Sequence, residues 1–155
     1  MIKRLTTLLF STSFFWIVTV SAQAQDLDLD LVVADSGSFY IHALFNDKVE
    51  HDLLLDTGAS YVSLNEETFA LLNSDQPLEF SRHIYGAMAN GKVEKIPLYI
   101  LPELILAQGC VLHNLEVAVL KNADKGILGM NALKKLQSFT LQLEPAKLTS
   151  KGCYS

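Results

Sequence analysis

The sequence predicts a small all-β domain, a closed or nearly closed barrel with one or two short helices. Three observations carry that prediction. Apolar residues recur mostly at a spacing of two, in short runs bounded by Gly, Pro, Asn and Asp. Helical spacing is confined to brief stretches after Asn65 and Met130. Asn90-Gly91, set between two strand-like runs, is a strong short-range hairpin signal. Many short strands joined by such turns favour a barrel.

Met1 to Gln25 has the layout of an export signal. Lys3 and Arg4 form its charged end, Leu5 to Val20 is mostly apolar, and Ala22-Gln23-Ala24 is a small-x-small cleavage site. The apolar run is shorter than the roughly 20 residues that span a bilayer. No cysteine follows it, which argues against a lipoprotein. Cleavage of residues 1–24 gives an exported chain, periplasmic or secreted, with no stable membrane span. That cleavage leaves 10 bases against 17 acids, so the formal charge moves from −5 to −7. So acidic a chain is a poor ligand for nucleic acid. The residues that remain suffice for one domain with its own core.

Residues 25–36 open the mature chain. Asp26-Leu27-Asp28-Leu29-Asp30-Leu31 alternates strictly, with three leucines on one face and three aspartates on the other. The segment is either a flexible acidic leader, inhibitory in its sharpest form, or an edge or intersubunit strand. The main domain occupies residues 37–150, and residues 151–155 form a tail. Ser38 to Phe45 and Val49 to Leu55 make a hairpin about Asn46-Asp47-Lys48. Ser60 to Leu64 is a short strand. Asn65 caps a helical turn in which Glu66 and Glu67 are favourably placed and Phe69, Leu71 and Leu72 supply apolar contacts. His83 to Met88 and Lys92 to Leu101 form the Asn90-Gly91 hairpin, where Pro97, like Pro102 after it, suits an edge or exposed strand. Glu103 to Ala107 and Cys110 to Leu120 pair about Gln108-Gly109, with Val111, Leu115, Val117 and Val119 at apolar positions. Gly126-Ile127-Leu128-Gly129 leads into a helix from Met130 to Leu136, with Leu133 and Leu136 inward. Phe139 to Leu143 alternates as the last strand, and Pro145 turns the chain towards Leu148.

The stretch with chemistry in it is Leu53-Leu54-Leu55-Asp56-Thr57-Gly58-Ala59-Ser60. A buried strand delivers an acid to a tight turn. Asp, Thr and Gly also make an ordinary turn after a strand, so the turn has a plain reading beside a catalytic one. In the catalytic reading Asp56 is an acid that needs a second carboxylate near it, with one proton shared between the two. One carboxylate then activates water while the other protonates the leaving group. Gly58 lets the backbone approach the carboxylates, Thr57 can brace a partner turn, and Ser60 can donate a hydrogen bond to the acid. The hairpin from His83 to Leu101 has the look of a lid, although a plain surface hairpin reads the same way.

The order of hairpin, Asp-Thr-Gly, lid-like hairpin, second hairpin, Ile-Leu-Gly, short helix and final strand resembles the retropepsins, the single-domain aspartic peptidases of retroviruses. It is more similar still to the retropepsin-like peptidases of bacteria. The resemblance covers roughly residues 37–148 and rests on Asp56-Thr57-Gly58-Ala59-Ser60 and Ile127-Leu128-Gly129. It implies a small closed barrel of the acid-protease type and aspartic endopeptidase activity. It makes Asp56, Thr57 and Gly58 the catalytic turn, with Ala59, Ser60, Ile127, Leu128 and Gly129 in support. The flap is Ala87, Met88, Ala89, Asn90 and Gly91. One Asp-Thr-Gly per chain implies a homodimer in which two Asp56 side chains meet on the two-fold axis. Viral members usually carry an acid at the position of Ser60 and an arginine at that of Met130. Both partners of that pair are absent here, which leaves no unpaired buried charge but removes one source of dimer strength.

No cofactor or metal is implied. His42, His51, His83 and His113 show no metal-ligand spacing. Cys110 and Cys153 could pair in an oxidising compartment, and their spacing alone leaves a disulfide undecided. A Cys110–His113 nucleophilic pair lacks an orienting third group. The alternative to a peptidase is a non-catalytic module of the same fold that binds or assembles peptides, against which the intact Asp-Thr-Gly weighs.

Overall fold

The computed structural model describes residues 26–88, 91–106 and 110–154. The proposed signal segment 1–24, the hairpin tip Ala89 and Asn90, the Gln108-Gly109 turn and Ser155 lie outside the described residues.

The acidic alternating segment is a strand, β1 (Leu27–Asp30), paired antiparallel with a strand near the other end of the chain, β11 (Ala146–Ser150). Leu27, Leu29 and Leu31 are buried and the aspartates face solvent, as period-two spacing requires. Lys147 on β11 reaches Asp28 at 3.2 Å and Asp30 at 3.3 Å, and these carboxylates, Asp28 foremost, raise its pKa. With β10 (Phe139–Leu143) these strands form a three-stranded sheet in the order β1-β11-β10.

A two-residue strand, β2 (Val32–Val33), leads into β3 (Phe39–Phe45) and β4 (Val49–Leu55). Asn46 and Asp47 take φ of +47° and +56°, and Lys48 N–H bonds the Phe45 carbonyl at 3.0 Å. Two consecutive positive φ values suit a hairpin turn whose twist matches its strands. Asn46 also exchanges two hydrogen bonds with the Glu103 backbone, so the hairpin tip is pinned to a later strand of the chain.

After the acid turn come β5 (Val62–Asn65) and α1 (Glu66–Asp75). Asn65 caps the helix by accepting from Thr68 N–H at 2.9 Å. Of the apolar residues in α1, Leu72 is buried and Leu71 is 54% exposed, so Leu71 makes no core contact of the kind its pattern suggested. Next are β6 (Glu79–Ala87), β7 (Val93–Leu106), β8 (Cys110–Leu120), β9 (Ile127–Leu128) and α2 (Met130–Leu133).

β3, β4, β9, β5, β8 and β7 follow one another by hydrogen bonding, and β3 pairs back to β7, closing a six-stranded barrel. β2 and β6 extend it outside the ring. Phe45, Ile41, Leu53, Leu64, Leu104, Leu112 and Leu128 fill its interior, each less than 2% exposed.

β7 corrects two expectations. It is one strand running through both prolines, and it lies between β6 and β8 instead of at an edge. Pro97 is accommodated because pairing with β8 begins only at Leu98. Pro102 falls where β7 leaves β6, at Ile100, and before it takes up β3, at Leu104. Opposite it, Asn114 has φ +52°, and the buried alternation of β8 changes phase there. Leu112, not Val111, is therefore the core residue. β11 is an additional strand beyond the expected last one. β10 shows Leu141 and Leu143 to solvent, 38% and 61% exposed, so its alternation does not mark a core face. The helix of α2 ends at Leu133, three residues early, though Leu136 is still buried.

Candidate active site

The acid turn is built from two parallel strands and a helix start. β4 and β9 run side by side, with Leu54 opposite Ile127 and Leu55 opposite Leu128, and Asp56 N–H bonds the Leu128 carbonyl at 3.2 Å. The chain then turns: Gly58 N–H donates to Asp56 Oδ1 at 2.7 Å, and Ala59 N–H to the Asp56 carbonyl at 3.4 Å. Asp56 is half-buried while Thr57, Gly58 and Ser60 are exposed. Among the described residues Asp56 Oδ2 has no hydrogen-bond partner, and the Ser60 hydroxyl does not reach the carboxylate. The backbone amide of Gly58 fills the role expected of Ser60.

Gly129 is what allows the turn to sit against α2. A Cβ there would meet the Tyr61 carbonyl oxygen at 2.2 Å and the Ala59 carbonyl oxygen at 2.9 Å. With glycine in place, Met130 N–H bonds Ala59 O at 2.8 Å and Asn131 N–H bonds Ser60 O at 3.0 Å. Asn131 then extends the brace: its Oδ1 accepts from Val62 N–H and its Nδ2 donates to Glu116 O, both at 2.7 Å. Nothing in the sequence pattern set Asn131 apart.

Over the turn lies a cleft of about 800 Å³. Asp56, Gly58, Ala59, Ser60 and Ile127 line it from the turn and β9, and Ile84, Tyr85, Gly86, Ala87 and Met88 from the β6–β7 hairpin. Tyr61, Ser63, Ile96, Ala118 and Leu120 complete it and were not singled out in the sequence, because strand register alone brings them there. Asp56 is the one charged side chain in this lining. Near the turn of this hairpin, Met88 N–H bonds Lys92 O and Gly91 N–H bonds Met88 O, each at 2.8 Å, with Gly91 at φ +79°, a conformation that favours glycine. Thr57 does not line the cleft and Leu128 is fully buried beneath it.

An ion pair anchors the root of the β6–β7 hairpin. Arg82 on β6 grips Glu116 on β8 through two bonds, Nε to Oε1 at 2.9 Å and Nη2 to Oε2 at 2.6 Å. Ser81 Oγ adds a bond to Oε1 at 2.7 Å, and Arg82 Nη2 also donates to the Tyr61 hydroxyl at 3.1 Å. Hydrogen bonds from Arg82, then Ser81, hold the Glu116 carboxyl below its usual range, and those to Glu116 and Tyr61 raise the guanidinium further. Two-point binding of this kind fixes geometry as well as charge.

Cys110 and Cys153 are joined by a disulfide, with Cα atoms 5.7 Å apart. It ties the head of β8 to the C-terminal tail, which also bonds the segment that follows α2 through Gln137 N–H to Gly152 O and Tyr154 N–H to Lys135 O. The histidines are dispersed: His42 contacts Asp52 at 3.1 Å and His113 lies 3.7 Å from Glu103. No described helix is long and apolar enough to cross a membrane.

A closed six-stranded barrel that carries an Asp-Thr-Gly turn beneath a hairpin defines the retropepsin-like class of aspartic protease fold. The family model described as "gag-polyprotein putative aspartyl protease" matches residues 41–135, more than half of the chain, and the protein belongs to that family. Among solved structures, it is similar to a retropepsin-like aspartic protease from Rickettsia conorii, with a TM-score of 0.57 and 23% identity over 81% of this chain and 88% of that one. That likeness supports the fold. The retroviral protease-like domain of Ddi1 from Leishmania major is more distant, with a TM-score of 0.47 and 17% identity over 68% of this chain and 81% of that one. No curated protein matched the sequence.

Proposed function

We propose that the protein is an exported aspartic endopeptidase that acts as a homodimer, residues 1–24 being its signal peptide. The observation that carries this reading is the placement of Asp56, held by Gly58 N–H at the floor of a cleft over which the lid hairpin lies. Each chain has a single Asp-Thr-Gly, so the second carboxylate comes from Asp56 of another copy, and Thr57, exposed in one chain, braces the facing turn.

Two carboxylates this close share one proton. The ionised one takes a proton from water as the water oxygen adds to the peptide carbonyl carbon, while the protonated one supports the carbonyl oxygen. The tetrahedral adduct then collapses: the C–N bond breaks, the nitrogen takes up a proton from the acid pair, and a carboxylic acid and an amine leave. The apolar cleft suits an extended peptide held by backbone hydrogen bonds, and closure of the β6–β7 hairpin excludes water from it.

The test is sedimentation of residues 25–155 across concentration, with and without a statine peptide, alongside cleavage assays on the parent and on Asp56→Asn. Dimerisation that tightens with the peptide, and cleavage lost in a variant that melts like the parent, are the expected results. Residual cleavage by purified Asp56→Asn sinks the catalytic assignment. A monomer indifferent to the peptide favours the non-catalytic binding module.

A further inference from the structure

β5 leaves the acid turn with every residue from Val62 to Asn65 buried. Val62 and Leu64 face the main core, so Tyr61 and Ser63 face the other side of the strand. That side is the cleft, which both residues line. Ser63 stands opposite Ala118 on β8 and opposite Ile127 on β9, and these two line the cleft as well. Register partners in a sheet present neighbouring side chains on one face. A single hydroxyl therefore sits between a methyl group and an isoleucine, in the same cleft as Asp56.

That hydroxyl has no partner. Ser63 is 4% exposed, and its Oγ is buried without a hydrogen bond. Among the described residues His51 Nε2 shares this condition, whereas Asn65 bonds Thr68 N–H and the Asp124 carbonyl, and Ser150 bonds the Gln137 and Gly152 carbonyls. A buried polar group left unpaired carries a desolvation penalty that an apolar residue of the same size would not. A serine side chain has one heavy-atom torsion, so a single rotamer change turns its oxygen towards a ligand.

We propose that Ser63 is a specificity-determining residue whose hydroxyl pairs with the hydroxyl of a threonine or serine side chain on the bound peptide. The inference rests on the peptidase reading of the cleft. An acidic substrate side chain finds no counter-charge in this lining, and its one charged group, Asp56, is committed to the scissile bond in the peptidase reading and so is not free for a basic one. A carboxamide brings more donors and acceptors than one hydroxyl can satisfy. A threonine matches on both counts, its hydroxyl to Ser63 and its methyl to Ala118 or Ile127. Valine has the same shape without the hydroxyl, so it isolates the hydrogen bond.

The experiment uses the mature protein and peptide pairs that differ only by Thr or Val. The exchange is scanned over the three positions on each side of the scissile bond. The expected result is a preference for Thr at one position, about three- to tenfold in kcat/KM, the worth of one net hydrogen bond. Ser63→Val should remove or invert it, and Ser63→Thr should retain it. The same pairs built around an uncleavable statine should bind in the same order by calorimetry. Equal handling of Thr and Val at every position by the parent overturns the inference, and that comparison needs no variant to fold. A preference unchanged in a folded Ser63→Val protein overturns it too. If nothing is cleaved but the Thr peptide still binds more tightly in a Ser63-dependent way, the subsite stands and the peptidase reading falls. If neither peptide binds, both fall.

Discussion

Gly129→Ala tests the contact on which the acid turn rests. The backbone of Gly129 lies at φ −92° and ψ −178°, which alanine adopts freely, so the whole effect of the added methyl group is steric. It would meet Tyr61 O at 2.2 Å and Tyr61 C at 2.5 Å, backbone atoms with no side-chain freedom to give way. The turn and α2 must separate, stretching the bonds from Met130 N–H to Ala59 O and from Asn131 N–H to Ser60 O. Two hydrogen bonds at about 1 kcal/mol each, with about 1–3 kcal/mol for overpacking, bring the cost to about 3–5 kcal/mol. That is a large part of the stability of an ordinary domain and corresponds to a fall in Tm of roughly 10–20 °C. Thermal melting of the oxidised protein measures it. Gly86→Ala serves as the comparison, because the methyl there meets only the tip of Ile96, at 2.7 Å, which can rotate aside. A Gly129→Ala variant that melts within about 2 °C of the parent, on this scale, would refute the steric argument.

Two further outcomes follow from the Arg82–Glu116 pair and the first strand. The Glu116 carboxyl is held below its usual range by Arg82, so its contribution to stability is present above about pH 4.3, the ordinary glutamate value, and is lost as pH falls through the lowered value in the folded protein. The Tm gap between the parent and Glu116→Gln should therefore be widest near neutrality and narrow at lower pH; a gap constant from pH 6 to pH 3 would contradict the linkage. Leu29→Ala should cost about 2–4 kcal/mol, as for a buried leucine in a packed core, since Leu29 is 3% exposed. Asp30→Asn, at a side chain 87% exposed, should stay within about 1 kcal/mol. Equal, negligible effects in denaturant melts would mean that β1 is loosely attached.

The legible parts of this molecule are those decided within a few residues of sequence. The Asn46-Asp47 turn, the Asn65 cap and the delivery of Asp56 by three leucines depend on local chemistry, and the structure has each at the expected position. The illegible parts depend on which strands lie side by side. Arg82 and Glu116 are ordinary surface charges in the sequence and become a clamp only because β6, β7 and β8 are consecutive in the sheet. Ser63 gains its place from the parallel pairing of β5 with β8, which no hairpin turn announces. The phase change at Asn114 reversed the assignment of Val111 and Leu112, since strict alternation has no means of signalling a kink. β11 escaped notice because Lys147 and Thr149 dilute its apolar pattern just beyond Pro145.

The pairing of β1 with β11 has a consequence for how the polypeptide reaches its final form. Leu27 lies opposite Ser150, so most of the chain intervenes between two neighbours in one sheet. Contacts so distant in sequence must wait for closure of a very long loop, and topologies rich in them assemble slowly. Until β11 is in place this sheet cannot form, and Leu27, Leu29 and Leu31 stay without that part of their cover. The six-stranded barrel, whose strands all lie between Phe39 and Leu128, needs neither β1 nor β11 and closes without them, so the first strand is added to a barrel already formed.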